Sequence, residues 1–140
     1  MTGRELVTRY FAALDAGDSR AVDDLFHDDC RIHRPERSEP LVGIDVVRAI
    51  VAIAGRTYEH LSTTLLDVVE EGDTVMVRLR HEAVHRGEWR TRIGTFDVPG
   101  CSLQWEAMAM FRLRDGRIAE ERVVRDELGM LLAVGALTPA

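Results

Sequence analysis

The pair Asp115-Gly116 restricts this chain more than any other feature, because Asp-Gly between two alternating runs is the strongest short-range signal for a two-residue hairpin turn. A loop of that length sets the pairing register: Arg114 stands opposite Arg117, and each earlier residue opposite a later one. Carried outward without interruption, the register places Glu106 opposite Arg125 and Trp105 opposite Asp126. Opposite charges directly across an antiparallel pair are mildly stabilising, so this register is electrostatically consistent. Because strand side chains alternate between faces, Trp105, Ala107, Ala109, Phe111 and Leu113 then share a side with Ile118, Glu120, Arg122, Val124 and Asp126. Alanine opposite Arg122 and Val124 leaves volume unfilled, which suits a cavity wall better than a packed core layer. Asp126 also precedes a Leu/Met-rich helical pattern, so two roles are open to it: a carboxylate in the cavity, or a helix N-cap worth roughly 1 kcal/mol.

Upstream, Leu6, Tyr10 and Leu14, flanked by Val7 and Phe11, form a stripe at helical spacing closed by Gly17. A shorter helix is expected over 19–26, a strand over 30–34 and a third helix over 43–54. From 58 to 71 and 73 to 89 the β-branched content rises, and Glu71-Gly72-Asp73 reads as a hairpin turn. Uninterrupted pairing there puts His60, Ser62, Thr64, Leu66 and Val68 on one side with Val75, Val77, Leu79, His81, Ala83 and His85, and leaves Thr63 near Glu82 on the other. Histidines thus gather at the far end of an apolar face. Residues 90–102, rich in Gly and Arg, read as a mobile connection with room for a short extra strand. The order of elements describes one domain over 1–140 of the α+β class, with helices packed on a strongly curved antiparallel sheet.

Net charge is −6 and no basic run occurs, which speaks against nucleic acid or an anionic membrane as partner. The apolar stretches are too short to span a bilayer and the N-terminus is amphipathic, so a cytoplasmic protein is expected. Cys30 and Cys101 have no metal-ligand spacing around them, and neither a zinc site nor a disulfide framework is suggested. All 18 basic residues are arginine, which excludes Schiff-base chemistry on a lysine side chain. Met108, Met110 and Val123 form an apolar patch on the outer side of the sheet, and a homodimer through that patch is expected.

Three stretches, GDTVMVRLRHEAVHRGEW, FRLRDGRIAEERVVRD and LGMLLAVGAL, with a weaker match at IHRP around His33, resemble the SnoaL-like polyketide cyclase group of the nuclear transport factor 2-like superfamily. The resemblance implies a cone-shaped α+β fold with a curved antiparallel or mixed sheet and three to four helices around an apolar pocket. It also implies a dimer that uses no metal or organic cofactor. By the same resemblance, Asp126 matches the general acid/base of an intramolecular aldol-type ring closure, and His85 and His33 fall at histidine positions of similar motifs. The implied substrate is a small apolar metabolite with a carbonyl group, contacted by Trp105, Phe111, Arg122, His81, Tyr10 and Leu14. Arg122, about 13 Å from Asp126 along an extended strand, would anchor a distant polar group.

Two other readings stay open. Arg122 followed four residues later by Asp126 resembles limonene-type epoxide hydrolases, although their Arg-x-Asp pair on a neighbouring strand is replaced here by Arg80-His81-Glu82. The same pocket architecture also serves domains that bind small molecules without turning them over.

Overall fold

The computed structural model describes residues 1–140, apart from the side chain of Pro99. Helix α1, Gly3–Ala16, starts in a capping box: Thr2 accepts from the Glu5 amide while the Glu5 carboxylate reaches back to Thr2. It ends at Gly17, whose left-handed φ of 65° lets its amide turn back onto the last carbonyls of the helix. A 3-10 turn at Ala21–Asp24, where a longer helix was expected, leads into strand β1, Phe26–His33, and the short β2, Leu41–Val42. Helix α2, Ile44–Thr57, buries Ile44, Val47, Val51 and Ala54 on one stripe. Its last turn meets the end of α1 at Gly55 and Gly17, so close that a Cβ on Gly17 would sit 3.2 Å from the Gly55 Cα.

Four long strands follow: β3 Tyr58–Glu71, β4 Thr74–Thr91, β5 Gly94–Arg114 and β6 Arg117–Arg125, then helix α3, Glu127–Ala133. The sheet runs β2-β1-β6-β5-β4-β3, antiparallel except for the parallel β1–β6 pair. This is the expected cone-like α+β architecture, with α1 and α2 packed into the concave face. Residues 90–102 are not a loose connection. They continue β4 and β5 as a paired ladder as far as Thr91 and Gly94, folding Trp89 and Val98 against α3.

The turn at Asp115-Gly116 forms as expected, with both residues at positive φ and Arg114 paired to Arg117. The register beyond it does not hold. Leu113 pairs with Ile118 but Arg112 pairs with Glu120, so Ala119 is a one-residue bulge that inverts every later side chain of β6. Glu121, Val123 and Arg125 therefore face inward, and Glu120, Arg122 and Val124 outward. Ala107, not Glu106, stands opposite Arg125, and Glu106 bonds Arg78 at 3.0 Å instead. The same correction applies to β3, where Leu65 pairs with Leu79 and Asp67 with Arg78, leaving Leu66 as a bulge. A second irregularity lies between Glu59 and Ser62, at the positive-φ residue His60. As a result Thr63, read from sequence as outward, stands inward across from His81.

Asp126 follows the last residue of β6, exposed at the surface. Its Oδ1 accepts the Gly129 amide at 2.9 Å, and its own amide donates to the Glu106 carbonyl. Of the two roles open to it, the structure shows the N-cap of α3. Asp126→Ala should therefore cost about 1 kcal/mol, a drop of roughly 3 °C in melting temperature by calorimetry, whereas Asp126→Asn, an equally good cap, should melt with the parent.

Candidate functional site

The concave sheet face, α1 and α2 enclose a cavity of about 580 Å³, closed at one end by the β4–β5 hairpin and α3. Ala107 and Ala109 form part of its wall, where larger side chains would fill the space. One side is a continuous run of rings. Phe11 meets His81 at 6.1 Å between centroids, His81 meets Trp105 at 5.1 Å, and Trp105 meets Tyr58 at 5.1 Å. Behind Tyr58, His85 is packed between that ring and Trp89 at 5.1 and 4.8 Å. Such a wall favours flat, largely apolar ligands.

Polar groups enter this lining from two directions. On the β3–β4 side, His81 Nδ1 lies 2.8 Å from the Thr63 hydroxyl, and Asp15 of α1 accepts both the Thr63 hydroxyl at 2.6 Å and the Thr63 amide at 2.9 Å. Burial, with the Arg125 guanidinium adding to it, pushes the His81 pKa down to about 4, so the ring is neutral at pH 7. On the β6 side, Glu121 is buried between Tyr10 and Arg34, whose guanidinium approaches to 3.9 Å. Burial raises the Glu121 pKa against the opposing pull of Arg34 and Tyr10. Its Oε2 has no hydrogen-bond partner among the described residues. Burial and then the Glu121 charge raise Tyr10 well above its ordinary value. Where the β4–β5 hairpin meets α3, Arg92 and Arg125 approach Glu127 at 3.6 and 3.8 Å.

Of the residues expected at the site, His81, Trp105, Tyr10 and Leu14 line the cavity. Phe111 lies beneath it, fully buried against Tyr10 and Phe11. His85 is also fully buried, behind the lining, where burial followed by Arg125 lowers its pKa; the Arg86 main chain nearby makes no well-formed bond to either ring nitrogen. Three expectations are corrected. The Ala119 bulge turns Arg122 to the outer face, and Asp126 caps α3 outside the cavity. His33 alternates with the buried Ile32 and lies outside, 3.5 Å from Glu120 and paired in register with Arg122.

Glu121, Arg34, Arg125, Tyr58, Thr63 and Asp15 were missed from sequence. No local signal was available for the β6 residues: the adjacent Val123 and Val124 give an apolar residue to either face, so the alternation does not reveal the bulge. Among the described residues, no group of three His, Cys, Asp or Glu side chains is placed to hold a metal ion, and no helix is long and apolar enough to cross a membrane.

Comparison with known proteins gives this arrangement a family. Residues 4–134 match the model for the SnoaL-like polyketide cyclase family. Among solved structures, TsrD from Streptomyces laurentii superposes with a TM-score of 0.83 at 28% identity, over 96% of this chain and 95% of its own. IdmH from Streptomyces antibioticus, described as a candidate polyketide cyclase, gives 0.76 at 22%, over 96% of this chain and 99% of its own. A candidate SnoaL-like polyketide cyclase from Jannaschia sp. CCS1 gives 0.79 at 23%, over 96% and 92%. The last two likenesses speak to fold alone. No curated protein sequence matches the chain. With the family match covering nearly its whole length, the chain belongs to the SnoaL-like polyketide cyclase family.

Proposed function

We propose that this protein is a cofactor-independent acid/base enzyme that closes a ring in, or isomerises, a small apolar metabolite carrying a 1,3-dicarbonyl unit. One observation carries the reading: a single cavity holds two titratable groups driven in opposite senses, His81 towards the neutral base and Glu121 towards the protonated acid. Nδ1 of His81 is taken by Thr63, which leaves Nε2 for the cavity. In the proposed reaction Nε2 removes a proton from the carbon between two carbonyls, and the electron pair moves onto a carbonyl oxygen hydrogen-bonded by Glu121. The enolate carbon then adds to a third carbonyl elsewhere in the same molecule. One C–C bond forms, and the new alkoxide recovers the proton from His81. A histidine of such low basicity can deprotonate only an activated carbon, which is why the reading favours a 1,3-dicarbonyl over a simple ketone. The aromatic wall would hold the chain flat and bring its ends together.

Exchange of the central protons of an aryl 1,3-diketone for deuterium, followed by NMR in deuterated buffer, tests the first step. The wild-type protein should accelerate it, and His81→Gln should lose on the order of a hundredfold or more. Equal rates in a well-folded His81→Gln protein would reject His81 as the base, and binding without exchange would point to a domain that only holds its ligand.

The two pKa shifts also predict a bell-shaped profile. Activity falls as acid protonates His81 towards about pH 4, and falls again on the alkaline side as Glu121 ionises. A carboxyl whose folded-state pKa is raised contributes stability below its unfolded pKa and loses it as pH rises through the folded value. Glu121→Gln should accordingly gain melting temperature over the wild type with rising pH, match it near pH 4, and abolish the alkaline limb of the activity profile.

We also propose a homodimer through the outer sheet face. Met76, Met108 and Val124 are 41%, 50% and 56% exposed there. Val124 takes the place expected of Val123, which lines the cavity. Such a patch on an open sheet face calls for a partner. Sedimentation velocity should give a dimer at tens of micromolar, and Met108→Glu a monomer; a monomeric wild type would refute the assignment.

A further inference from the structure

We infer that Asp15 and Thr63 are positioning residues that lock His81 in its Nδ1–H tautomer, so that Nε2 presents a lone pair to the cavity. The inference rests on the reading of His81 as the base, and it follows from counting protons. The Thr63 hydroxyl carries one hydrogen and has two polar neighbours, Asp15 Oδ1 at 2.6 Å and His81 Nδ1 at 2.8 Å. Burial raises the Asp15 pKa while the two bonds from Thr63 favour its charged form, and the ionised carboxylate can only accept. Asp15 Oδ2 already accepts the Thr63 amide at 2.9 Å, which fixes the carboxylate against the threonine on both oxygens. The hydroxyl hydrogen is therefore committed to Asp15 and the hydroxyl oxygen can only accept from the ring. Nδ1 must be the protonated nitrogen, and in a neutral imidazole that leaves the lone pair on Nε2.

Three elements converge to build the lock: Asp15 comes from the last turn of α1, Thr63 from β3 and His81 from β4. The Leu66 bulge is what turns Thr63 inward to complete it. Other groups facing the ring are Phe11, Trp105 and the Arg125 guanidinium.

The experiment is a long-range proton–nitrogen correlation spectrum of the 140-residue protein labelled with nitrogen-15, at pH 7, read beside the diketone exchange rate. The wild type should show His81 as Nδ1–H. Asp15→Asn should reverse it. Its amide oxygen can keep the Thr63 amide while its NH2 donates to the Thr63 oxygen. The threonine proton then turns to Nδ1 and leaves His81 as Nε2–H, and exchange should fall on the order of a hundredfold. Thr63→Ser should retain the tautomer and most of the rate, and Thr63→Val should lose both. This second pair supplies the same readout if Asp15→Asn does not fold. An Nε2–H signal in the wild type, or an unchanged tautomer in folded Asp15→Asn or Thr63→Val protein, would overturn the lock. If the tautomers behave as stated but His81→Gln keeps full exchange activity, the lock stands and the catalytic reading of His81 is what fails.

Discussion

The concave face of this protein depends on where the backbone inserts an unpaired residue into the ladder. A strand side chain has a period of two, so a single extra residue exchanges the inner and outer sets for the rest of that strand. Ala119 does this in β6 and Leu66 in β3. Without the first, Glu121 would look to solvent and Arg122 into the cavity; without the second, Thr63 would be remote from His81. The bulges also add local twist, in keeping with a sheet curled around its contents. Site and curvature thus share one backbone device.

Burial of polar groups on that inner face sets their chemistry. A neutral imidazole and a protonated carboxyl are the forms a low-dielectric wall tolerates best, and both His81 and Glu121 are displaced in that sense. The cost is partly offset by specific partners, Thr63 and Asp15 for the histidine, Tyr10 and Arg34 for the glutamate. It is not fully offset, since Glu121 Oε2 finds no hydrogen-bond partner among the described residues.

The supporting structure is conventional by comparison. The Thr2–Glu5 capping box and the Gly17 turn delimit α1, and the close approach of Gly17 to Gly55 brings α1 and α2 together. That placement sets Asp15 against β3. The aromatic run from Phe11 to Trp89 then ties the helix, the sheet and the extended β4–β5 hairpin into one wall.

The amino-acid sequence by itself determined the Asp115-Gly116 turn, the amphipathic stripes of α1 and α2, the α+β class and a small-residue cavity wall on β5. Each follows from local periodicity or turn chemistry, which the residues carry wherever they sit. It also placed His81, Trp105, Tyr10 and Leu14 on the inner face, because the elements that bear them keep their phase up to those positions. The tertiary structure alone decided Glu121, Arg125, Thr63 and Asp15, and removed Asp126, Arg122 and His33 from the cavity. The reason lies in the doubled apolar pairs Leu65-Leu66, Val68-Val69 and Val123-Val124, which offer one hydrophobic residue to each face and so satisfy either register equally well. With the local pattern indifferent, the choice passed to long-range packing against α1, β1 and β4, which no window of sequence contains.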